Sequence, residues 1–211
     1  RITNFAGGNT SAKVTLPDPV TGDDVVVLFV KGSGGDLGTL KESGLAKLVL
    51  DRVRGLERVY ASGVHEDDIV AYYQHCSFAD GGAVPSIDTP LHAFVSQAHV
   101  DHLHPDSMIA LAAAADGPAL VQECFGGTIG WLDWLRPGFA LGLAIRDFQA
   151  AHPAADGVMM GGHGMMVWAD TSAACEAVSL RVIEQAEQFL ARRGKVDPFG
   201  PLRPAFTALP E

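Results

Sequence analysis

The stretch Pro85–Asp106, PSIDTPLHAFVSQAHVDHLHPD, constrains this chain more than any other, because it gathers four of the eight histidines and three aspartates into one short segment. In VDHLHPD, His102 and His104 stand two apart. If the run from Ala98 is a strand, both imidazoles leave the same face and form a chelating pair. Pro105 removes a backbone donor and disfavours helix at His104, so the pair reads as extended, followed by a new helix with Pro105 at its first position. The other reading is a polar loop that happens to be rich in histidine. A third ligand has to come from elsewhere, and His163 in MMGGHGMMVWADT is the best placed. Its Gly-Gly-His-Gly turn lies between two apolar runs that read as adjoining strands. Three imidazoles with one position open suit a divalent ion, zinc above all, in a catalytic arrangement.

The rest of the chain reads as one α+β domain. Of 211 residues, 47% are hydrophobic, enough for one substantial core. The net charge of -10 argues against a nucleic-acid or anionic-membrane partner, and no apolar run approaches a membrane span. Three widely spaced cysteines without a C-x-x-C read as reduced thiols in a cytoplasmic protein. GGNTS is a small-residue turn opening the strand SAKVTL, and Val25–Val30 is a buried strand that delivers the chain into KGSGGDLG. Each glycine-rich turn is either a bare tight loop or a phosphate cradle. The second is not a Walker A loop, because Lys31 precedes its glycines. Leu45–Leu56 and Glu66–Cys76 have helical apolar spacing. Asp88 and Thr89 precede Pro90 as helix caps, and Phe139–Ala151 makes an amphipathic helix. Val158–Met160 and Met165–Trp168 read as strands, and a long helix runs from Thr171 to about Arg193. Trp131 and Trp134 fit a buried strand or a subunit contact. His99 has the wrong parity for a ligand, His92 packs or supports the site, and Asp101 and Asp106 are candidate acceptors behind the imidazoles. The Pro-rich stretch 198–211 reads as a linker, with the domain itself spanning 1–197.

Seven stretches carry a resemblance: NFAGGNTS, VKGSGGDLGTL, PSIDTPLHAF, AHVDHLHPDS, ECFGG, RPGFALG and GGHGMMVWADTS. Together they resemble the class II aldolase/adducin family, and most closely the aldolase half of bifunctional rhamnulose-1-phosphate aldolase/alcohol dehydrogenases. The resemblance implies a metal on His102, His104 and His163, and proton transfer by Asp88 where relatives more often have Glu. It implies a phosphate held by Gly8, Asn9, Ser33, Gly34 and Ser86. Ile87 stands where the family often has a second serine, and the charge of Lys31 is a candidate substitute. The implied reaction is metal-dependent cleavage of L-rhamnulose 1-phosphate to dihydroxyacetone phosphate and L-lactaldehyde. A pentulose-phosphate epimerase or other aldol-type lyase of the family, and a non-catalytic adducin-like binding module, are the alternatives. A homotetramer with sites near subunit boundaries, and a fused dehydrogenase domain beyond the linker, are implied as well. Helices alternate with hairpin-like strands, without a βαβα rhythm or a dinucleotide G-x-G-x-x-G. The expected fold is therefore a three-layer α-β-α arrangement around a mainly antiparallel sheet.

Overall fold

A computed structural model describes residues 2–5 and 7–194; the linker expected at 198–211 lies outside the described residues. Among the described residues, eight strands form one sheet: β1 (Asn9–Pro17), β2 (Asp24–Lys31), β3 (Leu45–Val49), β4 (Ser77–Gly82), β5 (His99–Leu103), β6 (Ile129–Leu132), β7 (Gly157–Met160) and β8 (Gly164–Ala169). Their spatial order is β4-β3-β2-β1-β5-β8-β7-β6, and every neighbouring pair is antiparallel except β6 with β7. Seven α-helices accompany it there: α1 (Leu50–Gly55), α2 (Glu57–Ala61), α3 (Thr89–Ala93), α4 (Asp106–Ala112), α5 (Gly117–Phe125), α6 (Phe139–Ala151) and α7 (Ser172–Arg193). The three-layer expectation holds.

Side-chain alternation along the central strands sorts the core into layers. Val100, Met166, Trp168 and Val158 pack with Leu91, Leu141 and Ile145 of α3 and α6. The alternate residues Leu103, Met165, Val167 and Met159 pack with Met108, Val121 and Val182 of α4, α5 and α7. At the other end of the sheet, Leu28, Val30, Ala46 and Leu48 bury against Val53, Tyr73 and Phe139.

Two expected helices are corrected. Leu45–Val49 is β3, paired with β2 from Lys31↔Leu45 to Val27↔Val49, and helix begins only at Leu50. The run LAKLV satisfies either periodicity, and the ladder offered by β2 decides it. The expected Glu66–Cys76 helix is instead a turn followed by a 3-10 helix at Ile69–Cys76. The Glu66 carboxylate is engaged elsewhere, accepting from Tyr60 Oη and from the first backbone amides of α6, at Phe139 and Ala140. Pro105 directly precedes α4 in extended conformation rather than entering its first turn. All three cysteines are free and buried. Trp131 is partly buried, whereas Trp134 is 64% exposed.

Candidate active site

Three elements meet at the histidines. His102 lies on β5, whose register pairs it with Asn9 of β1 and Met166 of β8. His104 follows β5, its backbone amide donating to Thr3 Oγ1 at 3.2 Å and its carbonyl accepting from the Asn4 amide at 3.2 Å. His163 sits in the β7–β8 hairpin, where Gly162 takes the left-handed conformation (φ +66°) that a side chain would resist. Ligand atoms of the three imidazoles lie within 4.8 Å of one another, and His102 Nε2 is 3.0 Å from His104 Nε2. Backbone at Gly164 comes so close to the cluster that an added Cβ would stand 2.4 Å from His104 Cδ2.

Burial keeps these rings neutral. It pushes His102 down to about 3 and His163 down to about 4, with the neighbouring imidazoles adding to the effect. His104 is also lowered by burial, against the pull of Asp88. His102 Nδ1 is 3.0 Å from the Met165 carbonyl. It therefore carries the proton, leaving a bare lone pair on Nε2 aimed at the cluster centre. That carbonyl occupies the place expected for Asp101 or Asp106. Asp101 points to the opposite face, accepting from Thr10 Oγ1 at 2.7 Å and Ser179 Oγ at 2.9 Å. Asp106 is exposed at the start of α4. A backbone carbonyl has no sequence signature, so nothing in the residue pattern could have revealed it. His99 is outside the cluster, as its parity requires.

Asp88 stands just before α3 and makes no capping bond to it. Its Oδ1 is buried without a hydrogen-bond partner, as is His163 Nδ1. Burial raises the Asp88 carboxyl above its ordinary value, opposed by His163, His104 and Lys31. Three neutral imidazole donors and an unsatisfied carboxylate oxygen fit a divalent cation with room for a further ligand. The helix-cap reading of Asp88 does not describe this geometry.

The residues expected around a phosphate divide into two groups. Asn9 is buried beside the histidines, its Nδ2 donating to the Lys31 carbonyl at 3.3 Å. Gly8 precedes it in left-handed conformation, where a Cβ would meet the His102 carbonyl at 2.7 Å. Ser86 Oγ accepts from the Asp88 amide at 3.2 Å. Ser33 and Gly34 lie farther along and line a cavity of about 270 Å³ with Lys31, Thr39, Lys41 and Ser43. Lys31 is buried and donates to the Gly34 carbonyl at 2.9 Å. Burial lowers its pKa, while Asp88 and Asp36 support its charge. Lys41 and Ser43 escaped the sequence reading because they follow the glycine-rich loop without a motif of their own.

A trio of histidines gathered from a hairpin and the end of a central strand, within a helix-flanked, mainly antiparallel sheet, is a donor set that could hold a divalent ion. The chain belongs to the class II aldolase and adducin family: the family model "Class II Aldolase and Adducin N-terminal domain" matches residues 1–190. It is 36% identical over 211 residues to a Bacillus subtilis (strain 168) protein named "Uncharacterized oxidoreductase YuxG", of which it spans 30% of the length. Among solved structures, it resembles the N-terminal class II aldolase domain of a conserved protein from Thermoplasma acidophilum, with TM-score 0.79 and 25% identity. That match covers 90% of this chain and 86% of the other. L-fuculose-1-phosphate aldolase from Thermus thermophilus shares the fold at TM-score 0.55 and 14% identity, over 90% of this chain and 86% of its own. No helix among the described residues is long and apolar enough to cross a membrane.

Proposed function

We propose that the chain is a metal-dependent aldolase that cleaves a ketose 1-phosphate, with L-rhamnulose 1-phosphate as substrate and dihydroxyacetone phosphate and L-lactaldehyde as products. The observation that carries this reading is the convergence of three neutral imidazoles with a buried, unsatisfied carboxylate. His102, His104 and His163 would hold the ion, zinc being the best fit to an all-imidazole donor set. When bound, such an ion supplies Lewis-acid polarisation of a carbonyl oxygen.

The chain's own residues supply the remainder. Asp88, whose carboxyl is raised above its ordinary value by burial, is the group placed to hold and return a proton. In the cleavage direction the carbon–carbon bond breaks and the alcohol on the departing half gives up its proton as the aldehyde forms. The electron pair left on the carbon next to the ketone takes a proton from Asp88, and the proton released by the alcohol passes through water to return the Asp88 carboxylate to its acid form. Gly8, Asn9 and Ser86, with Ser33 and Gly34, hold the phosphate, and Lys31 supplies the positive charge that compensates for Ile87. Fixing the phosphate turns remote binding energy into orientation of the reacting carbons. The similarity through VKGSGGDLGTL and AHVDHLHPDS supports the rhamnulose phosphate assignment within the family. A homotetramer in the cytoplasm and a dehydrogenase domain fused to 1–197 through 198–211 complete the proposal.

The test is a panel of ketose 1-phosphates assayed with zinc-loaded protein, with elemental analysis of parent, His102→Ala and His163→Ala. Cleavage of L-rhamnulose 1-phosphate ahead of its stereoisomers, and metal lost in both variants, are the expected results. Stoichiometric zinc in both variants removes the ligand assignment, and preference for a different stereoisomer removes the substrate.

A further inference from the structure

We infer that His92 is a positioning residue for Asp88: its contact with Ser11 locks the helix that follows Asp88 onto the strand that carries Asn9. The inference rests, for its catalytic arm, on the aldolase reading above. Three observations lead to it. Asp88 has no local bond that fixes its side chain, so its placement depends on where α3 sits. At five residues, α3 is too short to be stable alone and takes its position from tertiary anchors. His92 is a fully buried polar side chain on that helix, with Nδ1 2.8 Å from Ser11 Oγ.

The spacing gives this contact its leverage. Residues 88 and 92 are one helical turn apart, so they share a face of α3. Ser11 is two residues beyond Asn9 on β1 and shares its face, and Asn9 is the register partner of His102. One side-chain bond thus connects the acid's helix to the strand that bears a candidate phosphate ligand and lies against the histidine cluster. The other anchors of α3 act elsewhere. Arg54 Nε donates to the Ala93 carbonyl at 2.9 Å, holding the C-terminal end, and Gly142 allows α6 to close on Pro90. Leu91 and Ala93 pack α3 into the core, and the His92–Ser11 bond adds the polar tie to β1 that resists the rotation of α3 that would swing Asp88 away from the cluster. His92 also buries its Nε2 without a partner, a standing cost that an apolar side chain filling the same space would avoid. What the imidazole offers in return is the bond to Ser11.

The experiment compares Ser11→Ala, His92→Leu and His92→Asn with the parent, all loaded with zinc. Asn keeps a hydrogen-bonding atom near the position of Nδ1, whereas Leu keeps only bulk. The measurements are exchange of the dihydroxyacetone phosphate proton with solvent, resolved into kcat and KM, zinc affinity, and amide hydrogen exchange across α3 and β5. Ser11→Ala and His92→Leu are expected to lower kcat by about 10- to 100-fold at nearly unchanged KM and zinc affinity, as a misplacement of about 1 Å does. His92→Asn is expected to restore most of the loss. Amides of α3 are expected to exchange faster in Ser11→Ala while those of β5 do not change. Parent-like kcat in Ser11→Ala overturns the inference, and so does a His92→Asn variant as slow as His92→Leu. Should the parent itself exchange no substrate proton, the aldolase reading fails on its own account. Protection of α3 then decides the anchor, and unchanged protection in Ser11→Ala overturns it. Ser11→Ala keeps the test open if His92→Leu does not fold.

Discussion

Gly164→Ala tests whether close backbone approach sets the geometry of the histidine cluster. The added Cβ would lie 2.4 Å from His104 Cδ2 and 2.9 Å from the Leu103 carbonyl oxygen. Ordinary contact begins about 1 Å farther out than the first of these distances. The Leu103 carbonyl belongs to backbone held in the β5–β8 ladder through Leu103↔Met165, so the His104 ring is the part that must retreat. A displacement of that size exceeds the roughly 0.5 Å tolerance of a working metal site. Zinc affinity is therefore expected to fall by about 10- to 100-fold, comparable to losing a group that orients a ligand. Overpacking is expected to cost about 1–3 kcal/mol of stability in the metal-free protein. The assay is competition with a chromophoric chelator near neutral pH, alongside chemical denaturation of the metal-free form. Gly63→Ala is the control: its φ of +94° strains the backbone, but a Cβ there meets nothing within 4 Å. It should lose about 1 kcal/mol of stability and no zinc affinity. Parent-like zinc affinity in folded Gly164→Ala would refute the reasoning.

In Asp88→Asn, fully metal-loaded, exchange of the dihydroxyacetone phosphate proton should slow by about a hundred- to ten-thousand-fold; unchanged exchange would mean that another base carries the proton. Glu66→Ala should destabilise the fold by about 1–2 kcal/mol because it removes the carboxylate acceptor from the start of α6, and Glu66→Gln, which keeps an acceptor, should lose less than half of that by thermal unfolding. Lys13, half-buried with Nζ donating to the Gln97 carbonyl at 2.7 Å, is lowered to about 7 by burial and then by Arg54. Between about 7 and its ordinary 10.5, the unfolded chain holds a proton that the native chain does not, so this group's contribution to stability rises with pH across that window. The parent should gain on Lys13→Met between pH 7 and pH 10 by at most about 1.4 kcal/mol per pH unit, and a constant difference in denaturation midpoint across that range would contradict the shift.

Where local pattern and long-range partner agree, the sequence was legible. Phe139–Ala151 is helical as its spacing requires, and the GGHG turn joins two strands as its flanking apolar runs imply. The parity of His102 and His104 predicted a shared direction, and the two Nε2 atoms do face each other. Legibility ended where a distant partner chose between equal local options. LAKLV is a strand because β2 lies beside it. Glu66 is no first-turn acid of its own helix but serves the N-terminus of α6, more than seventy residues later. The same limit applies in the site, where the Met165 carbonyl orients His102 and Lys41 joins the cavity of the glycine-rich loop. These roles depend on backbone placement, which residue identity alone does not encode.

The register of β5 is what makes the site possible. Side chains alternate along a strand, so a slip of one residue would turn His102 into the α7 layer and bring Asp101 among the imidazoles. Two independent restraints oppose that slip. On one face His102 is tied to the Met165 carbonyl, and on the other Asp101 is tied to Thr10 of β1 and Ser179 of α7. The bond from Ser179 to Asp101 crosses from the long helix to the sheet, so α7 holds the strand from behind while the histidine cluster faces forward. Aspartate at this position is therefore read best as the residue that fixes which face His102 presents. Its distance from the imidazoles is a condition of that task, since a carboxylate turned toward the cluster would be unavailable to hold β5 against α7.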